Sequence, residues 1–226
     1  MQMSIVKLPR YEMYWAQETR IPRVSDIISK NRYKALRQNL HVSDNSEKDL
    51  PENKDNKLFK IAPVIEHVRG NCLQVEPEQD HSIDEQIIPA KTKYSGIRQY
   101  NPKKPTKWGF KNFVRSGASG MMYDFFLYTG ATKEKGKKVT VTGPSVVKKL
   151  VSTLPKKQNY RVFFDNWFCD LSLCIDLKSL GFLVCATARS NRIGKCPVMA
   201  EKDLKKGGRG SYDYRTDSNS GLVVLK

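Results

Sequence analysis

The amino-acid sequence predicts an α/β protein, a mixed β-sheet flanked by helices and preceded by a helical module. Three observations carry this reading. The runs "KWGFKNFV" and "MMYDFFLYTG" are strand-like, and the glycine-rich link "RSGASG" between them reads as a hairpin. Further on, amphipathic helical segments alternate with short apolar runs, the pattern of strands joined through helices. Near residue 76 the composition changes from apolar residues recurring every three or four positions to strand-like runs.

Taken in order, residues 23 to 42 read as helical, with Ser25 and Ser29 as candidate N-caps and Ile27, Ile28, Tyr33, Leu36 and Leu40 on the apolar side. A polar loop with a proline, "SDNSEKDLPENKDNK", follows. A second helix carries Leu58, Ile61, Ile65, Val68 and Cys72, with Pro63 confined to its first turns or the helix starting later. "HSIDEQII" opens the first strand. A basic, proline-punctuated loop with Lys91, Lys93, Arg98, Lys103, Lys104 and Lys107 leads to the hairpin. "GPSVVKKLVSTL" is a helix with Pro144 near its start, and "YRVFFD" is a strand. "CDLSLCIDLKSLG" is a helix that Asp170 caps and Gly181 ends, and "FLVCATA" is a further buried strand. The order strand, strand, strand, helix, strand, helix, strand is that of a ribonuclease H-like sheet. The domain boundaries expected are 1–75 for the helical module, 76–188 for a partial core and 189–226 for the start of an insertion domain. The last residues, "LVVLK", read as a strand about to continue, as in a fragment of a longer chain.

Charge narrows the partners. Lys and Arg number 40 against 23 Asp and Glu, a net charge of +17, which attracts polyanions: nucleic acid or an anionic membrane surface. The longest strongly apolar run, Phe182 to Ala186, is far short of a membrane span, and Met1 to Arg10 lacks the apolar stretch of a signal peptide. Five cysteines with no Cys-x-x-Cys, and three histidines, argue against a zinc module and a disulfide framework, and for a reducing compartment, cytosol or nucleus. "KKGGRG" is a flexible basic loop, since no Gly-Lys-Ser/Thr follows as in a phosphate-cradling loop.

The candidate chemistry lies at the ends of two strands. In this sheet order the strand holding Asp84 neighbours the strand ending at Asp165. Two carboxylates so close repel, and a divalent cation between them relieves the conflict. Magnesium or manganese takes one or two carboxylates plus water and phosphate oxygens, and such ions serve phosphodiester cleavage and transfer. Turn chemistry at Asp165-Asn166 and a solvated edge at Asp84-Glu85 are the plainer alternatives. Lys103, Lys104, Lys107 and Lys111, with Arg98 before them and Arg189 and Arg192 after the last strand, are candidates to hold DNA phosphates; lysines kept for solubility are the alternative. Trp108 and Trp167 are read as core, with stacking on bases the alternative, and His81 as a surface histidine with no assigned role.

"SIDEQ", "YNPKKPTKWGFK", "FFDNWF" and "TARSNR", in that order across residues 82 to 192, resemble the piggyBac transposase family and its domesticated relatives, and "RYKALRQNLHVSDN" resembles that family's upstream helical module. The resemblance implies a ribonuclease H-like fold with a dimerisation and DNA-binding domain and an insertion domain. It implies metal-dependent hydrolysis and strand transfer at transposon ends, with Mg2+ or Mn2+ as cofactor, DNA as partner, a second copy of the chain as a further partner, and a nuclear location. It maps the first two catalytic aspartates to Asp84 and Asp165. The sequence departs from the pattern in three places. The third aspartate's Gly-Gly-Val-Asp context does not occur, nor does the cysteine-rich zinc module, and "AKTK" stands after "SIDEQIIP" where many relatives have a glycine between basic residues.

Overall fold

In the computed structural model, described for residues 2–92, 95–102, 104–134 and 137–226, the chain divides into two compact units, Met1–Pro63 and Val64–Lys226. The first unit holds α1 (Gln2–Ile5), α2 (Pro22–Ser25) and α3 (Lys30–Asn39), with short 3-10 turns between and after them. Its small core is Tyr14, Val24 and Phe59. Polar ends of its aromatics are satisfied by main chain: the Tyr14 hydroxyl donates to Met3 O (2.8 Å) and Trp15 Nε1 donates to Ile28 O (2.7 Å). Ser29 caps α3, accepting from Arg32 N at 3.3 Å. Ser25 does not cap; its hydroxyl donates back to Ile21 O (3.1 Å). The second helix of the sequence reading is α4 (Ala62–Gln74), with Pro63 in its first turn, where a missing N–H costs nothing.

The second unit is built on a six-stranded mixed sheet. Its strands are β1 (Asp80–Pro89), β2 (Arg98–Tyr100), β3 (Trp108–Gly117), β4 (Met122–Leu127), β7 (Arg161–Phe164) and β8 (Leu183–Ala186); β5 (Thr132–Glu134) and β6 (Lys137–Val139) pair with each other. Along the sheet the order is β2-β3-β1-β7-β8, and β4 also pairs with β3. The β1, β3 and β4 pairings are antiparallel, whereas β7 runs parallel to β1 and to β8, as the helical connections require. Because β1 occupies one edge of β3, β2 and β4 share the other edge at its two ends. The hairpin of β3 and β4 is the one legible in the sequence. The short strand β2 is new, drawn from a stretch that reads as loop.

Helices α5 (Gly143–Val151) and α6 (Leu171–Ser179) cover one face of the sheet. Val146, Val147, Leu150, Leu173 and Leu177 pack there against Ile83, Phe113, Val162 and Phe164. Thr142 and Ser145 form a reciprocal cap on α5, Asp170 caps α6 by accepting from Leu173 N (2.7 Å), and Gly181 (φ 84°) takes the left-handed conformation just past its end. β8 is an edge strand rather than a buried one: Leu183 is 51% exposed, because no strand pairs along its outer side among the described residues. Beyond it come α7 (Glu201–Lys206) and a hairpin of β9 (Tyr214–Thr216) and β10 (Val223–Leu225), so "LVVLK" finds its partner strand within residues 214–216.

His81 corrects the sequence reading. It is fully buried, not a surface histidine. Its ring lies between those of Tyr123 and Tyr160, and its Nδ1 accepts from the buried guanidinium of Arg115 (3.3 Å). Arg115 also donates to Leu150 O (2.9 Å) and Thr153 Oγ1 (3.0 Å), and Thr153 in turn donates to the buried carboxylate of Asp124 (2.9 Å). Arg69 of α4 grips Asp124 with two bonds, 2.6 and 3.2 Å, tying the helix to β4. Burial, with the Arg115 charge added, pushes the His81 pKa down from 6.5 to about 4. The folded state therefore holds the neutral ring while the unfolded state takes a proton below about pH 6.5. Stability from this group is complete above that pH and is lost as pH falls toward 4, by about 3 kcal/mol in all. Urea unfolding across this window should show that slope in the native chain and its loss in His81→Gln.

Candidate active site at the ends of two parallel strands

Strand β1 alternates: His81 and Ile83 point to the helix-covered face, while Ser82 and Asp84 are exposed on the other. Strand β7 does the same, with Val162 and Phe164 buried and Arg161 and Phe163 exposed. The parallel register pairs Ile83 with Phe164. Asp84 follows Ile83 within β1 and Asp165 follows Phe164 just past the end of β7, and both are exposed. Thr187 N donates to Phe164 O (3.3 Å), carrying the β7–β8 ladder up to Asp165. The ladder thus makes neighbours of the segments that carry Asp84 and Asp165, which lie 81 positions apart in sequence (165 − 84 = 81).

The turn after Asp165 is firmly held. Its Oδ1 accepts from Trp167 N at 2.5 Å, and its carbonyl from Phe168 N at 3.1 Å, a side-chain-closed turn. Arg189 Nε donates to Asn166 Oδ1 (2.9 Å). One guanidinium nitrogen of Arg192 lies within hydrogen-bond distance of three main-chain carbonyls, Trp167 O (2.8 Å), Asn166 O (3.3 Å) and Cys169 O (3.3 Å). The Trp167 indole stacks on Phe113 (5.8 Å between centroids, 9° between planes), so this tryptophan is core, as read. Behind the turn, Gly143 at the start of α5 leaves no room for a side chain: a Cβ there would sit 2.2 Å from Trp167 O and 2.6 Å from Phe168 Cα. Buried Cys169 and Cys174, with sulfurs 3.9 Å apart, close the entry to α6 as a pair of packed apolar side chains flanking the Asp170 cap.

A third carboxylate, Glu85, was not singled out by the sequence. It lies on the opposite face from Asp84, in register with Phe113. Burial holds its pKa above the usual carboxylate range, and a hydrogen bond with Asp84 and the charge of Asp84 add to the shift. Lys104 approaches it at 3.6 Å. Lys111, whose ammonium lies 4.7 Å from the Trp167 ring centre and 4.9 Å from that of Phe113, has its pKa lowered by burial. Among the described residues no group of three or more His, Cys, Asp or Glu side chains is placed to hold a metal ion. The two exposed aspartates supply hard oxygen donors open to water, which suits magnesium or manganese with a largely hydrated shell.

The basic candidates separate by role. Lys104 pairs with Glu85, and Lys111 feels the charges of Glu85 and Asp84. Arg189 and Arg192 are spent largely on the turn that carries Asp165. Lys107 is exposed, and Arg98 lies over the Trp108 ring at 4.1 Å. Lys103 lies outside the described residues. Trp108 is not core: it is 46% exposed.

Comparison with known proteins decides the family. The model of the family described as "Transposase IS4" matches residues 1–226. Human "PiggyBac transposable element-derived protein 3" is 29% identical over 223 residues, covering 96% of this chain and 37% of its own length. Human "PiggyBac transposable element-derived protein 2" is 27% identical over 226 residues, covering 98% and 37%. This chain belongs to the transposase IS4 family and is piggyBac-like within it. A structure of the piggyBac transposase synaptic complex with hairpin DNA superposes with a TM-score of 0.73 at 21% identity, covering 96% of this chain and 45% of that one, and shows that the fold is shared. The chain spans little more than a third of the length of these human relatives.

The positions that the sequence left without a role are Glu85 and Gly143, and Arg192, marked for phosphate, is seen to clamp the turn after Asp165. Only Gly143 carried a signal, as the residue before a helix-starting Pro144. Gly143→Ala should destabilise the second unit by about 2 kcal/mol, since either α5 or the turn behind Asp165 must move. Urea unfolding checks the cost. An unchanged midpoint would contradict the close approach.

Proposed function

We propose that this chain is a DNA-binding, piggyBac transposase-like protein of the nucleus, whose Asp84 and Asp165 are the first two carboxylates of a metal-dependent DNA cleavage and strand-transfer site. The observation that supports this most directly is the parallel pairing of β1 with β7, whose last pair, Ile83 with Phe164, immediately precedes the two exposed aspartates. The net charge of +17 supports the DNA partner, and the fold neighbour is a transposase complex with hairpin DNA.

In this reading Asp84 and Asp165 would hold magnesium or manganese. Such an ion, when bound, supplies polarisation of a phosphodiester and activation of an attacking oxygen. The chain's own residues do the rest. Arg192 and Gly143 keep the Asp165 turn against α5. Lys104 and Lys111 place positive charge close to Glu85 and Asp84. Lys107 and Arg98 extend the cationic surface along β2 and β3. The second reading is a DNA-binding protein without cleavage activity.

Retention and nicking of a DNA hairpin separate the two. Binding measured by fluorescence anisotropy should weaken steeply between low and physiological salt, and should survive Asp84→Asn. In magnesium or manganese, nicking by the native chain should fall in Asp84→Asn by more than the ~100-fold that loss of an outer-shell partner costs. Retention with no nicking by the native chain would establish the second reading. Absence of salt-sensitive retention would overturn both.

A further inference from the structure

Away from the acidic pair, the open face of the sheet carries an exposed aromatic cluster. The β2–β3 register pairs Tyr100 with Trp108, and Arg98 stands two residues from Tyr100 on the same face. The Tyr100 and Trp108 ring centres are 4.8 Å apart, tilted by 48°, and the Arg98 guanidinium lies 4.1 Å over the Trp108 ring. Strand alternation puts Trp108 on the same side of β3 as Val114, the register partner of Asp84. The cluster and Asp84 therefore share one face of one sheet, six positions apart along β3 (114 − 108 = 6), or about 20 Å.

Large aromatics left exposed in this way need a reason. Trp108 is 46% exposed and Tyr100 52%. They are not loose, because the indole is braced by Arg98 and by its cross-strand neighbour, so little side-chain freedom is left to lose on binding. Among the described residues Arg98 meets no carboxylate, and its Nε is shielded from solvent without a hydrogen-bond partner; the nearby Lys107 is exposed and forms no ion pair. A rigid ring with uncompensated cations beside it is complementary to a group that is flat, π-rich and anionic at its edge. An unpaired nucleotide has that form. A base inside a duplex does not, because its faces are already stacked.

Resting on the DNA-binding reading above, we propose that Trp108, Tyr100 and Arg98 form a stacking platform for an unpaired nucleobase. Arg98 and Lys107 meet the adjoining phosphates, and the platform holds single-stranded DNA on the same face as Asp84 and Asp165. The aromatic contact gives preference for unpaired over paired DNA; the cations contribute to both.

The test uses the full 226-residue chain and two probes, a fluorescein-labelled 20-nucleotide single strand and the blunt duplex of the same sequence. Trp108→Ala should weaken single-strand binding about tenfold, the range of one lost base stack, and leave duplex binding within about twofold. Trp108→Phe, which keeps an aromatic face, should recover most of the loss. Far-UV circular dichroism and the thermal midpoint of Trp108→Ala should match the native chain, since the ring is not part of the core. In a single strand carrying 2-aminopurine, the probe should be quenched by the native chain and not by Trp108→Ala. Equal losses for single strand and duplex in Trp108→Ala, or native single-strand affinity in that variant, would overturn the platform while leaving DNA binding intact. No salt-sensitive binding of either probe by the native chain would overturn the DNA-binding reading, and the platform with it.

Discussion

The parallel ladder between β1 and β7 is the constraint on which the rest depends. Four register pairs, from Asp80–Arg161 to Ile83–Phe164, align two strands that lie far apart in sequence. A slip of one residue would move Asp165 to the other face and bury a carboxylate against α5, at a cost of several kcal/mol. The core specifies the register: Val162 and Phe164 must face α5 and α6, together with Ile83. Packing on one face therefore decides what is juxtaposed on the other.

Much of this was legible because it rests on periodicity and turn chemistry. The β3–β4 hairpin, the caps at Ser29 and Asp170, and the glycine at 181 follow from local rules that tertiary structure did not override. The neighbouring of β1, which holds Asp84, and β7, which leads to Asp165, followed from strand order. What escaped depends on contacts between distant residues. His81 looks polar in sequence, but Arg115, Tyr123 and Tyr160 enclose it. Arg189 and Arg192 look like phosphate ligands, yet their guanidinium groups hold the turn after Asp165. Trp108 looks like core and is exposed, because strand alternation puts it on the face of β3 that α5 and α6 do not cover. Glu85 was passed over beside the more conspicuous Asp84, and its burial is a property of the folded sheet alone.

The electrostatic layout has a consequence for how a strongly basic chain carries an acidic centre. Lys104 and Lys111 stand close to Glu85, whose pKa burial raises above the usual carboxylate range. Asp84 and Asp165 are exposed carboxylates in a chain whose net charge is +17. A polyanion approaching them meets attraction over most of its length and repulsion only at the carboxylates, where a divalent ion would reverse it. The chain spans 37% of its human relatives, and the ladder, the Asp165 turn and its clamp all lie within that span.

The central claim, that Asp84 and Asp165 serve one ion, is tested most directly by Mn2+ binding to the native chain, Asp84→Asn, Asp165→Asn and the double variant, followed by electron paramagnetic resonance. Each single substitution is expected to weaken Mn2+ binding by at least about tenfold. The double variant is expected to lose far less than the two losses combined, since the first substitution already dismantles the shared site. Losses that add independently, or Mn2+ binding left unchanged by either single substitution, would contradict it.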